Sequence, residues 1–493
     1  MEIAVFILYF VLMMSIGVYF FLKTRGGSEK EYFLGNRQMG PWVTAMSAQA
    51  SDMSAWLLMG LPGSVMAFGF GKAWIGIGLA LGTIANWVFI AARLRRFSKA
   101  AGDAITLPQY LSNRFAGTGK ALQIVSALIF LVFFTIYVAS SFVAGAAVFT
   151  AVFPKLDATV AMLIFAVIIL TYTFLGGFKA VCWTDFFQGS LMLVALLAVP
   201  IVVFITGGLD TAALQEQVVG TETVQAFNNN LFASDWKDIV SGLAWGLGYF
   251  GMPHILVRFM SIKKPSMVKK SATVACIWVV LALLATCLIA YLGRMLGGVD
   301  LIVAGKQETV FIMLARKLFP TVIAGLLMAA IIAASMSTAD SQLLVASSSF
   351  TADIYHPLIR KNATRREILW VGRAVVLAVA VVAFFIAKAT DGKGAIMNLV
   401  DNAWAGFGSA FGPVVILSLF WRRLMYKGAL AGIIGGAVVD VAWRLLCSGT
   451  GIYELLPGFA AGLLCAVVVT LIDKKPADEV TQIFDAAMTA GED

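Results

Sequence analysis

Three short runs set oxygen- and nitrogen-bearing side chains inside otherwise apolar stretches, and these are the places where the chain can do chemistry. The first is Ser47-Ala48-Gln49-Ala50-Ser51-Asp52-Met53-Ser54-Ala55-Trp56. Serine and aspartate compete for backbone hydrogen bonds, so this run reads as a point where a helix unwinds and frees carbonyl and N–H groups for a ligand. The alternative is an intact helix in which Asp52 contacts a neighbouring helix. The second run is Trp245-Gly246-Leu247-Gly248-Tyr249-Phe250-Gly251-Met252-Pro253-His254. It spells GxGxxG, but a nucleotide site needs a strand before it and a crossover after it, and neither is present. Three glycines and a proline mark a helix break, or else a seam of close helix packing. The third is Ala333-Ala334-Ser335-Met336-Ser337-Thr338-Ala339-Asp340-Ser341. Ala334, Ser337, Thr338 and Ser341 fall at i, i+3, i+4 and i+7, on one helical face. Their hydroxyls, with unwound carbonyls, form the all-oxygen set a hard cation prefers. The competing reading is serines bonded back to their own helix.

The elements that position these runs follow from composition. The 493 residues are 60% hydrophobic and only 13% charged. Soluble domains are about half apolar and about a quarter charged, which excludes a soluble enzyme. The net charge of +9 is not a nucleic-acid signature here, because in a membrane chain the location of the positives carries the information. Cys182, Cys276, Cys287, Cys447 and Cys465 lie in or beside apolar stretches with no CxxC, and read as small hydrophobes.

A crossing needs about 20 apolar residues. That ruler gives thirteen spans: 3–22, 41–69, 74–92, 121–152, 158–176, 184–206, 238–257, 272–296, 320–348, 368–388, 396–421, 428–446 and 453–473. The first has Glu2 in place of a basic leader and reads as a retained helix. Lysine and arginine concentrate in one set of connections. It holds Lys23, Arg25, Lys30, Arg37, Arg93, Arg95, Arg96, Lys99, Arg114, Lys120, Lys179, Arg258, Lys263, Lys264, Lys269 and Lys270. Arg360, Lys361, Arg365, Arg366, Arg422, Arg423, Lys427, Lys474 and Lys475 complete it. The positive-inside rule puts that side in the cytoplasm, the N-terminus and the 207–237 loop outside, and the C-terminus inside. The tail after Lys475 is too short for a signalling domain.

The two candidate breaks lie in the second and seventh spans, five apart. Broken helices at corresponding positions of two units are the sequence pointer to a secondary-transporter site. The units would be spans 2–6 and 7–11, the odd separation inverting the second. Residues 1–40 then hold the first helix and a cytoplasmic loop, 41–206 the first five-helix repeat, 207–237 an external loop, 238–421 the second repeat, and 422–493 two further helices and the tail.

Several stretches carry a likeness to a known family. They are SAQASDMSAWLLMGLPG within 44–63, Phe133-Phe134-Thr135-Ile136-Tyr137, Thr173-Phe174-Leu175-Gly176-Gly177-Phe178 and Trp183-Thr184-Asp185. Others are WGLGYFGMPHILVRFM (245–260), the MST of the ninth span, QLLVASS after it, and AWAGFGSAFGPVV in the eleventh. With these the chain resembles the sodium:solute symporter family over nearly its whole length, and within it the proline-carrying branch. The resemblance implies an all-α integral membrane protein of about thirteen helices with a five-plus-five inverted-repeat core of the leucine-transporter type. It implies inward sodium movement coupled to uptake of L-proline by alternating access, in a multi-pass cell-membrane protein that is not an enzyme and uses no cofactor besides sodium as co-substrate. The same resemblance implies a sodium site of Ala50, Met53 and Ala334 carbonyls with Ser337 and Thr338 hydroxyls. It ties Asp52, Ser54 and Asp185 to sodium coupling and Tyr137, Trp245, Tyr249 and Pro253 to substrate; Asp340 and Ser341, beside the proposed cation site, are added to the coupling set, and Ser51 and Trp56, at the second-span break, to the substrate set. Three positions depart from the proline-carrier pattern: Ala55 in place of glycine, Met252 in place of glutamine, and Asp340 as an added carboxylate.

Other roles are assigned from the residues. Asp185 starts the sixth span and is either a second cation ligand or a helix cap. Asp440 and Arg444, at i and i+4, are expected to pair. His254 reads as a hydrogen-bonding neighbour of the break, and His356 as a loop residue. Three function classes compete. A sodium-coupled proline carrier comes first; a sodium- or proton-coupled carrier of another small amino acid or organic acid comes second. An intramembrane enzyme comes last, because two histidines without HExxH spacing supply no hydrolytic constellation.

Overall fold

A computed structural model describes residues 1–23, 28–116, 119–175, 177–219, 222–390 and 395–490. Arg25 of the basic loops and Gly176 of the TFLGGF stretch lie outside the described residues. Helices dominate, because in lipid every backbone N–H and C=O must be paired within its own segment. The departures from an all-helical chain among the described residues are a short antiparallel strand pair in the 207–237 loop, Gln217–Val219 with Glu222–Val224, and an isolated parallel bridge between Met39 and Ile262.

Among the described residues, ten helices have the length and hydropathy of a full crossing. Three of the segments read from the sequence are not single crossing helices. The seventh is a pair, Trp236–Phe250 and Pro253–Ser261, bent by 44°. The second is divided into Pro41–Asp52 and an apolar stretch Trp56–Phe68, and the fifth is the shorter Ala158–Leu175.

The two breaks expected from composition are present, and each has a local cause. At the second span, Met53 leaves the helical region (φ −84°, ψ 72°). In an unbroken helix the Leu57 N–H would serve the Met53 carbonyl; here it goes to the Ser54 carbonyl at 3.1 Å. At the seventh, Trp245–Phe250 tightens into a 3₁₀ turn and Met252 is extended (φ −75°, ψ 105°). Pro253 explains the extension: it lacks an N–H and disfavours the helical region for the residue before it. The ninth span is different. Thr321–Ser349 is one continuous helix, with no glycine or proline in its polar run and with Ser335 bonded back to the Ile331 carbonyl at 3.0 Å.

Other boundaries shift. The third span continues through a wide turn at Asn86–Ala91 to Ala100. The sixth begins at Phe178, because the apolar window undercounts a start containing Lys179. Asp185 is therefore well inside a helix whose N-cap is Gly177, and the helix-cap reading of Asp185 is wrong. Arg258, expected from the sequence in a cytoplasmic loop, lies in the C-terminal half of the seventh span and is fully buried. The tail forms a helix, Asp478–Thr489, whose Phe484 packs edge-on against Phe97 with centroids 5.1 Å apart.

The inner half of the second span is packed by the sixth, eighth and ninth spans, and the 3₁₀ turn of the seventh by the third and eleventh. Glycine permits the second contact. A methyl group on Gly82 would run into the Gly246 backbone, and one on Gly251 into the Phe407 carbonyl. The third and eleventh spans thus meet the break backbone to backbone.

Candidate functional site

The second-span break faces the ninth span. Ser337 Oγ donates to the Ala50 carbonyl at 2.8 Å and lies 3.1 Å from the Ala334 carbonyl. Thr338 Oγ1 reaches the same Ala50 oxygen at 3.5 Å. Four of the five oxygens assigned to sodium are therefore linked in a chain of contacts of hydrogen-bond length, Ala334–Ser337–Ala50–Thr338. The fifth group, the Met53 carbonyl, is released from the helix ladder beside them by the break. Hydroxyls that donate to a carbonyl also carry lone pairs, so the cluster can turn all its oxygens toward a hard cation.

On the other side of the break, three aromatic residues converge on Asp52. Tyr249 donates to Asp52 Oδ2 at 2.5 Å, one side chain joining the second-span break to the seventh. Tyr137 Oη and Trp56 Nε1 both point at the Asp52 carbonyl, each at 3.4 Å. The Ser54 N–H bonds the same carbonyl at 3.0 Å. Asp52 Oδ1 has no hydrogen-bond partner, although it is fully buried. Trp245 stands 6.4 Å from Trp56, ring centre to ring centre, and stacks on Tyr453 at 5.3 Å and Trp404 at 6.1 Å. Pro253 opens the helix at the inner edge of this group.

A second polar cluster lies one turn inward. Asp185 accepts from Ser47 at 2.6 Å, from Ser51 at 3.1 Å and from Arg258 Nη2 at 3.0 Å. Arg258 also donates to Ser341 at 2.5 Å, to Ser47 at 2.9 Å and to the His254 carbonyl at 2.6 Å. Asp340 is next to Ser341, and one of its carboxylate oxygens has no partner. Asp185 is thus paired with Arg258, and Asp340 lies in the field of the same guanidinium without an ion pair of its own, in a site closed to solvent. The Ser51 hydroxyl, expected at the substrate, is turned into this cluster and bonds Ser341 at 3.0 Å.

The residues proposed from the sequence therefore gather in two adjoining groups. Arg258 was missed as a site residue. Its signal was available: it follows His254 by one helical turn in an apolar run, where an intramembrane charge is functional by default. Asp440 and Arg444 do not behave as expected. Asp440 accepts from Ser409 at 3.2 Å and Arg444 faces Glu454 at 3.7 Å, because the preceding span offers Asp440 a hydroxyl and the start of the following span offers Arg444 a carboxylate. The ring of His254 finds no hydrogen-bond partner and lies edge-on to Phe134 and Tyr137.

The family model described as "Sodium:solute symporter family" matches residues 32–436. The sodium/proline symporter of Haemophilus influenzae is 43% identical over 495 residues, 98% of this chain and 97% of that protein. The high-affinity proline transporter of Bacillus subtilis is 42% identical over 479 residues, 96% of this chain and 98% of that protein. Among solved structures, a substrate-bound, outward-open Na⁺-coupled sialic acid symporter described as revealing a novel Na⁺ site superposes with a TM-score of 0.74. It is 18% identical, covering 97% of this chain and 98% of that one.

Proposed function

The chain belongs to the sodium:solute symporter family, and we propose that it couples inward movement of sodium to uptake of L-proline by alternating access. The observation that carries this reading is the convergence of Ser337 and Thr338 on the Ala50 carbonyl at one side of a helix break, with the Tyr249–Asp52 bond joining the two breaks at the other. Sodium would take the oxygens of Ala50, Met53, Ala334, Ser337 and Thr338 and so hold the second and ninth spans together. Proline is a compact apolar ring carrying a carboxylate and an ammonium. Trp56, Tyr137, Trp245, Tyr249 and Pro253 would wall the ring, with Ser51 serving from its backbone. The N-terminus of the helix that starts at Pro253 favours the carboxylate.

Coupling follows from shared structure. Sodium orders the second-span break that also presents Asp52 and Ser54 to the substrate side, so each ligand raises the affinity for the other. The membrane potential adds about 2.3 kcal/mol per 100 mV for each sodium carried inward. Asp185, Asp340 and Ser341 form the deeper cluster, where Asp340, without an ion pair of its own, suits a second cation. The reading is of a multi-pass cytoplasmic-membrane transporter with its N-terminus outside and C-terminus inside, crossing thirteen times. Spans 2–6 (41–206) and 7–11 (238–421) form inverted halves. The chain acts as a carrier, with no enzymatic step and no cofactor beyond sodium. A carrier of another small amino acid or organic acid would keep the same ion cluster and differ in the wall from Trp245 to Pro253.

The test is labelled-proline uptake into proteoliposomes holding the purified chain, with and without an inward sodium gradient. Sodium-dependent uptake competed by unlabelled proline supports the proposal. Sodium-dependent uptake of a different solute would refute the substrate assignment and leave the ion site standing.

A further inference from the structure

We propose that Trp404, on the eleventh span, is the positioning residue of the substrate wall and sets the solute affinity by holding Trp245 and Tyr249 in register. This inference rests on the reading that the solute lies between those two aromatics.

The argument begins with the broken helix. The 3₁₀ turn gives its carbonyls poorer hydrogen-bond geometry than an α-helix and leaves each a second lone pair, so in a dry membrane core they can take a further donor. The indole N–H of Trp404 supplies one, donating to the Trp245 carbonyl at 2.8 Å. The same indole stacks on the Trp245 ring, centroids 6.1 Å apart and planes 26° apart. It also meets Tyr249 edge-on, at 5.0 Å and 84°. One buried side chain thus fixes the backbone of one wall residue, the ring of that residue, and the ring of the other.

The space it fills is made for it. A methyl group built on Gly248, between the two wall residues, would land on the Trp404 indole. Only glycine there lets the indole approach the turn. On its own helix, the neighbouring Gly406 admits the Phe133 ring of the fourth span, and Phe407 lies 4.5 Å from Phe134. The eleventh span is therefore anchored behind Trp404 and can act as a fixed support. Tyr249 transmits the placement onward, because its hydroxyl must reach Asp52 at 2.5 Å. A rotation of its ring would move that oxygen off the carboxylate.

Ordinary core packing makes a different prediction. A packing residue affects abundance and turnover, and touches sodium and solute alike. A positioning residue for the wall affects the solute's KM and leaves sodium activation in place, since the ion cluster lies across the second-span break from Trp404.

The experiment is uptake by proteoliposomes at matched protein content, comparing the parent chain with Trp404→Phe, which keeps a ring and loses the N–H. The expected result is a proline KM raised about tenfold, as for loss of one well-placed buried hydrogen bond. Vmax should stay within about twofold and the sodium concentration for half-activation should be unchanged. Replacing Trp404 with benzothienylalanine, which exchanges N–H for sulfur in the same bicyclic frame, should reproduce the KM change. It also serves if Trp404→Phe does not reach the membrane. A parental KM in both variants overturns the inference, as does a sodium requirement that shifts in step with KM. A parent chain that takes up no proline overturns the substrate reading itself, and the inference falls with it.

Discussion

Replacing Arg258 and Asp185 singly and together tests the deeper cluster most directly. Their Nη2 and Oδ2 atoms are 3.0 Å apart and both side chains are excluded from solvent. Breaking a buried ion pair by removing one member costs about 3–5 kcal/mol, because the surviving charge keeps its desolvation penalty and loses its compensation. The surroundings predict an asymmetry. Arg258→Met removes the donor to Asp185, Ser47, Ser341 and the His254 carbonyl, and leaves Asp185 and Asp340 as two uncompensated carboxylates. That variant should take the upper part of the range. Asp185→Leu leaves Arg258 with Ser341, the His254 carbonyl and the field of Asp340, and should take the lower part. The double variant Asp185→Leu/Arg258→Met exchanges the pair for apolar side chains and should return to within about 1–2 kcal/mol of the parent. The double-mutant cycle then gives a coupling energy of at least about 4 kcal/mol. The assay is thermal unfolding of the four purified proteins in detergent, expected in the order parent, double variant, Asp185→Leu, Arg258→Met. Losses that simply add, or an Asp185→Leu variant less stable than Arg258→Met, would refute the placement of both carboxylates in the field of one guanidinium.

Three further outcomes follow from the geometry. Ser337→Ala should raise the sodium needed for half-maximal uptake about tenfold, and Thr338→Ala less, since Ser337 stands 2.8 Å from the Ala50 oxygen and Thr338 3.5 Å; sodium titration of uptake reads both. Tyr249→Phe leaves the buried Asp52 carboxylate without its donor and should weaken proline binding by about 1.5–3 kcal/mol, measured as KM against Vmax. In the loop after the third span, burial pushes the Asp103 carboxyl up, but the hydrogen bonds and charges of Lys30 and Arg37 outweigh it and hold the group below its ordinary value of 3.8. A lowered folded-state value gives stabilisation that is present above 3.8 and lost as pH falls through the folded value. Asp103→Asn should therefore lower thermal stability at neutral pH and flatten its decline in the acid range; an unchanged acid profile would contradict the pairing.

The two breaks illustrate what could be read in one dimension. Glycine, proline and serine–aspartate clusters weaken a helix through the backbone of the same residues, so their effect is local and visible in order along the chain. Hydropathy runs are local in the same sense, which is why most span boundaries agree to within a few residues. The exceptions, the starts and ends at Phe178 and Ala100, lie where charged residues continue a helix that packing holds together.

The pairings were not local. Nothing in the spacing of Asp440 and Arg444 says that Ser409 and Glu454 offer each a better partner. Arg258, placed by charge counting in a cytoplasmic loop, is buried because Asp185, Ser47 and Ser341 come to it from three other spans. Asp185 changes from a helix start to the centre of a cluster for the same reason. Trp404 looks like any core tryptophan until the glycine opposite it is brought alongside. Composition and local backbone chemistry thus determined that the chain is a membrane bundle with two broken helices and an oxygen-bearing face on the ninth span. Tertiary structure alone decided which charges neutralise one another and which carbonyls meet which hydroxyls, because those contacts join residues far apart in the chain, 288 positions for Thr338 and Ala50, and their energies depend on distance in space.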